Sequence, residues 1–208
     1  IQPVTHDLAS QFGVKTRGGV LVTDVFPGTP AAEAGLQAGD VILEFAGHMV
    51  HEPRELQGVV EQAEIGSRQP LLVQRGGERL TLEMTMQEQP SSFGMVAMAT
   101  EESHEEPTTS SAQFEQFGLE VSPLTADVAQ QLQVGEGTGV VVTNVSPGSA
   151  ASEVGLAPGV VIAEVNRAAV RTLDEFRAAV EANPDGKDLL LLVRTGGGSR
   201  FVVLKSTR

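Results

Sequence analysis

One stretch of this chain occurs twice, and that duplication decides how many units the chain can fold into. Gly19 to Glu44 runs GVLVTDVFPGTPAAEAGLQAGDVILE, and Gly139 to Glu164 runs GVVVTNVSPGSAASEVGLAPGVVIAE. Each copy has the signals of an alternating strand, a Pro-Gly turn, a short Ala-rich helix stopped by Gly-Leu, and a further strand. Pro3 matches Pro123, Asp7 matches Asp127, Pro27 matches Pro147, Gly35 matches Gly155 and Gly77 matches Gly197, always at an offset of 120. No gap is needed from Ile1 to Gly77, and roughly two positions in five are identical, the sign of two domain copies and not of a solenoid of small repeats. Each copy, at about 90 residues, is long enough for one modest core.

Read in order, Ile1 to Val4 is the tail of a strand, and Thr5 caps a short helix that reaches Phe12 with Leu8, Ala9 and Phe12 on one face. Val20 to Val25 alternates as a half-buried strand is expected to. Pro30 to Gly35 predicts a short helix ended by Gly35 at positive φ, and Val41 to Phe45 a strand that leads into a tight turn at Gly47-His48. Pro53 to Gln62 predicts a second helix with Leu56, Val59 and Val60 inward. Leu71 to Gln74 and Leu80 to Met84 flank Gly76-Gly77 as a hairpin. In the other copy Leu173 to Val180 matches the second helix, and Gly196 to Gly198 separates Leu189–Val193 from Phe201–Leu204. Residues 89–113 are acidic and rich in Ser, Thr and Pro, a linker expected to be mobile. Inside it Phe93 to Ala99 is apolar, and either packs on a domain flank or docks on a partner domain.

Charge and composition exclude several functions. The chain has 27 acidic and 14 basic residues and a net charge of −13, which repels nucleic acid and anionic membranes. Eight Phe with no Trp or Tyr give no stacking platform for single strands. There is no Cys, so no disulfide, thiolate metal site or thiol nucleophile is available. No stretch has the length of a membrane span. Ile1 is not a start residue, so a piece of a longer chain is expected.

The order of motifs resembles PDZ domains of the bacterial, circularly permuted kind. Ile1-Gln-Pro-Val-Thr5, Gly118-Leu-Glu-Val-Ser-Pro-Leu-Thr125 and Glu164-Val-Asn-Arg167 are similar to the two C-terminal PDZ domains of HtrA/Do-type serine proteases. The resemblance implies a mainly β fold with short helices. Residues 1–88 and 114–208 would each be a partly closed antiparallel barrel or sandwich with two helices, joined by residues 89–113. It also implies peptide binding, in which a protein C-terminus or an extended segment adds as a strand between a sheet edge and a helix. The terminal carboxylate would sit in a nest of backbone N–H groups, carried over to Phe117, Gly118 and Leu119. Leu119 and Val121 would face the guest from the receiving strand, and Leu173, Phe176, Arg177 and Val180 from the helix. Leu56, Val59 and Val60 would take that helix role in the first copy, whose carboxylate loop is expected to fall before Ile1. Just ahead of the loop, Glu115 stands where family members often carry an arginine, and its charge opposes a guest carboxylate.

The implied parent is a periplasmic serine endopeptidase whose catalytic domain lies upstream, which handles misfolded envelope proteins and forms trimers through that domain. The fragment alone is expected to be a monomer without cofactor, metal or membrane insertion. Two other readings stay open: a scaffold pair that assembles subunits without binding substrate, and the PDZ region of an intramembrane metalloprotease. No Gly-x-Ser-x-Gly or Gly-Asn-Ser-Gly-Gly turn is present, so no serine nucleophile is expected within this chain. His48 and His51 share a loop but have no third ligand in spacing, and Ala168 and Arg171 stand at their counterparts. Gly135 to Gly139 has no following Lys-Ser/Thr and opens a strand, so it is a connection and not a phosphate loop.

Overall fold

Apolar alternation broken by glycine turns produces one antiparallel sheet in each half of the chain. The computed structural model describes residues 1–14, 18–88, 111–132, 134, 138–183 and 188–205. The chain folds as two compact units, one ahead of and one after the stretch 89–110. The expected linker therefore lies outside the described residues up to residue 110, as does the apolar run 93–99.

The first unit runs β1 (Gln2–Pro3), α1 (His6–Gln11), β2 (Val20–Leu21), α2 (Pro30–Glu33), β3 (Val41–Phe45), β4 (His48–Met49), α3 (Pro53–Gln62), β5 (Arg68–Arg75) and β6 (Glu78–Thr85). Its sheet is ordered β1-β2-β3-β5-β6, with β4 on β3. The second unit runs β7 (Ala112–Phe114), β8 (Leu119–Pro123), α4 (Ala126–Leu132), β9 (Val140–Val145), α5 (Ala150–Glu153), β10 (Val161–Val165), β11 (Ala168–Ala169), α6 (Leu173–Glu181), β12 (Leu189–Thr195) and β13 (Gly198–Leu204). Its order, β13-β12-β10-β9-β8-β7, repeats the first sheet and adds β7 outside β8. Neither sheet closes on itself among the described residues. The repeat extends to irregularities: β3 slips against β5 between Ile42 and Glu44, and β10 against β12 between Ile162 and Glu164.

Several sequence expectations shift. The strand expected over Val20 to Val25 is only Val20–Leu21, and Val20, Leu21, Val22 and Thr23 are all buried. Alternation fails there because both sheet faces are covered. Val20, Val22, Val73 and Leu56 share the core beneath α3, while the Gln74 amide, on the other face of β5, donates to the Gly13 carbonyl just after α1. The tight turn is Ala46-Gly47, both at positive φ, so His48 belongs to β4. At the matching turn Asn166 stands in place of Ala46, and its Oδ1 accepts from Leu190 N at 3.0 Å. Both hairpins run longer than their apolar cores: β5 pairs β6 from Arg68↔Thr85 to Arg75↔Glu78.

The copies solve one polar problem differently. Asp40, only 1% exposed, accepts from Gln37 N and from Arg75 Nε at 2.6 Å and Nη2 at 2.7 Å. Arg75 also donates to the Gly35 carbonyl that ends α2. In the second unit Val160 fills the Asp40 position with an apolar side chain, and Arg200, on β13, donates to the Gly155 carbonyl instead. Arg75→Ala leaves a buried carboxylate without its cation and is expected to cost the first unit about 3 kcal/mol in urea unfolding, the effect being trimmed by the partial exposure of Arg75. Adding Asp40→Val is expected to recover most of that loss, because it copies the apolar solution of the second unit. A single-variant loss below about 1 kcal/mol contradicts the assignment.

Candidate peptide-binding groove

The groove in the second unit is built from α6, β8 and the turn that enters β8. Helix α6 starts where it does because Thr172 Oγ1 accepts from Glu175 N at 3.2 Å and Glu175 Oε2 accepts from Arg171 N at 2.6 Å. Leu173, Phe176 and Val180 recur at helical spacing and are buried on one face. That face packs against β8 and β10. Leu119 and Val121 project from β8 into the same apolar cluster. The residues expected to line the site are therefore brought together. Phe117 joins them as a core residue, 3% exposed. Arg177 stays at the surface, 3.6 Å from Asp174.

The outer border of β8 already carries a strand. β7 pairs with it antiparallel, Ala112 opposite Val121, Gln113 opposite Glu120 and Phe114 opposite Leu119. Ala112 is buried, Gln113 exposed and Phe114 half-buried. The Phe114 ring meets the Phe176 ring of α6 edge-on, with centroids 5.0 Å apart and planes at 86°. Ala112 and Phe114 face Arg177 and Val180 of α6 across an open pocket. Ala112 and Gln113 fall in the linker expected from the sequence, yet they are strand because two apolar side chains at alternate positions can be buried against Val121 and Phe176.

Two of the three N–H groups expected to hold a carboxylate are engaged in this turn. Phe117 N donates to the Phe114 carbonyl and Gly118 N to the Glu115 carbonyl, each at 3.0 Å. The loop is fixed from the other side as well. The Phe117 carbonyl accepts from Ala151 N, and the Gly118 carbonyl from Ser146 N. Gly118 sits at φ 63, and a Cβ there would lie 2.3 Å from Ser149 Cβ, so only glycine fits.

In the first unit β1 is the counterpart of β8, and β2 is its only strand partner among the described residues. Leu56 is buried in the core, while Val59 and Val60 are half-buried against it. Val60 remains partly open where its counterpart Val180 is covered.

Sequence comparison decides the family. The PDZ domain family matches residues 6–86 and, separately, residues 141–195. The chain belongs to the PDZ domain family. It is a tandem PDZ region of the HtrA type, similar along nearly its whole length to proteins described as probable periplasmic serine endoproteases, DegP-like. The relative from Chlamydia trachomatis serovar D is 31% identical over 207 residues, covering 99% of this chain and 38% of its own. That from Hahella chejuensis is 34% identical over 206 residues, covering 99% of this chain and 42% of its own. The chain thus spans about two-fifths of the length of these relatives. A solved structure, the HtrA-type protease AlgW with decapeptide, overlaps 41% of this chain and 26% of its own at 29% identity and a TM-score of 0.38.

Ala112, Gln113 and Phe114 line the candidate groove of the second PDZ domain, and the sequence reading does not place them there. The available signal was the Ala-Gln-Phe alternation, which mirrors Leu119 and Val121 across a short turn. Gly118→Ala is expected to destabilise the second PDZ domain by about 3 kcal/mol, combining an unfavourable φ with the clash at Ser149. Urea unfolding measures this; a change below about 1 kcal/mol would show that the turn is not held as described.

Proposed function

We propose that this chain is a peptide-binding regulatory module. It captures C-termini or extended segments of misfolded proteins in the bacterial periplasm for a serine endopeptidase domain of the same protein. One observation carries the reading: the space between β8 and α6 holds an extended tripeptide as an added antiparallel strand, the mode by which PDZ domains bind peptides. The cleft therefore has the width and the backbone polarity that a guest strand needs. In the first PDZ domain Val59 and Val60 of α3 are half-buried.

The names of the relatives support a periplasmic serine endopeptidase as the parent, in preference to a membrane metalloprotease. No described helix is long and apolar enough to cross a membrane. Binding energy would come mainly from backbone hydrogen bonds, with apolar side chains at alternate positions selecting the sequence. Arg177 offers a cation at the groove mouth to a guest carboxylate, partly offsetting Glu115.

A library of decapeptides with free C-termini tests the proposal on the whole chain, read by residue-resolved NMR shifts. Members ending in apolar residues are expected to bind in the micromolar range and to shift β1 and α3 of the first domain. Val60→Glu is expected to weaken that binding about tenfold, or about 1.4 kcal/mol. A library in which no member shifts either domain contradicts the proposal.

A further inference from the structure

We infer that Ala112-Gln113-Phe114 is an internal ligand of the second PDZ domain: it holds the groove closed, and a guest must match its pattern to displace it. The inference rests on the peptide-binding reading and goes beyond it, since it names both the competitor and the class of guest.

Four observations point the same way. The tripeptide pairs along the border of β8 that faces α6, and it does so antiparallel. Its side chains alternate as a bound peptide's would, Ala112 inward, Gln113 outward and Phe114 against Phe176. Its last residue lies at the entrance of the Phe117-Gly118-Leu119 turn, where a guest's carboxylate would arrive. The Phe114 carbonyl accepts the Phe117 N–H there. Leaving the groove therefore frees the Phe117 N–H and exposes the faces of Phe176 and Val180 in one step.

The chemistry of the guest follows from the occupant. The position beside Val121 accepts a small side chain, because buried Ala112 fills it. The next position faces solvent and is indifferent. The last accepts an aromatic ring that can meet Phe176 edge-on. Guests are thus extended peptides ending in small-any-aromatic.

A tethered competitor acts at an effective concentration of about a millimolar or more, so removing it sharpens binding without any new contact. The probe is a synthetic peptide that copies residues 110–114 with a free carboxylate, titrated against the whole chain and read at the amides of Leu119, Glu120 and Val121. Phe114→Ala is expected to bind the probe at least tenfold more tightly than the natural chain. Gln113→Cys with Glu120→Cys joins two opposed residues in a chain without other cysteines. When oxidised it is expected to lose binding at the second domain, and reduction is expected to restore it. Equal affinity of the natural, Phe114→Ala and oxidised chains overturns the internal ligand while the peptide-binding function stands. No binding by any version at the second domain overturns the inference, and the function then rests on the first domain alone.

Discussion

The second domain depends on what lies along the outer border of β8. A strand edge carries unpaired N–H and C=O groups that gain by pairing with any extended backbone. Here β7 meets that demand, and the Phe114–Phe176 contact sets its position. The four-residue connection between Phe114 and Leu119 keeps the strand close, so little loop entropy opposes closure. What stands at that border decides whether the domain is open to a guest.

The duplication sharpens this picture, because each domain is a control for the other. Positions that build the sheet recur at the same offset, including the slip in β3 and β10 and the positive-φ turns after them. Positions around the groove diverge. Leu56 is replaced by Phe176, which supplies the ring that Phe114 meets, and Gln57 by Arg177. Away from the groove a buried Asp40–Arg75 pair is exchanged for Val160 with Arg200 on a neighbouring strand. The same carbonyl, Gly35 or Gly155, is capped by arginine in both. Electrostatics there are interchangeable so long as the helix end is satisfied.

Much of the fold was legible in the sequence. The repeat gave two units, Thr5 marked the start of α1, and Pro53 to Gln62 matched α3 in full. The clustering of Leu119, Val121, Phe176 and Val180 followed from strand and helix periodicity. Three features were not legible, each for a physical reason. The strand read as half-buried from Val20 is buried over four successive residues, because it has no solvent face. The Ala46-Gly47 turn lies one residue earlier than expected, because alanine, not only glycine, takes positive φ there. Ala112 to Phe114 is too short and too polar a run to stand out, since its reason to be a strand is tertiary: an edge on one side and an aromatic ring on the other.

The most direct test of the account is the set of cross-strand proton contacts at the groove of the whole chain, measured by NMR before and after saturation with the peptide that copies residues 110–114. At rest the account predicts contacts between Ala112 and Val121, between Phe114 and Leu119, and between the rings of Phe114 and Phe176. On saturation these give way to intermolecular contacts of the same kind. An empty border on β8 at rest, or a peptide that binds while the resting contacts persist, would contradict it.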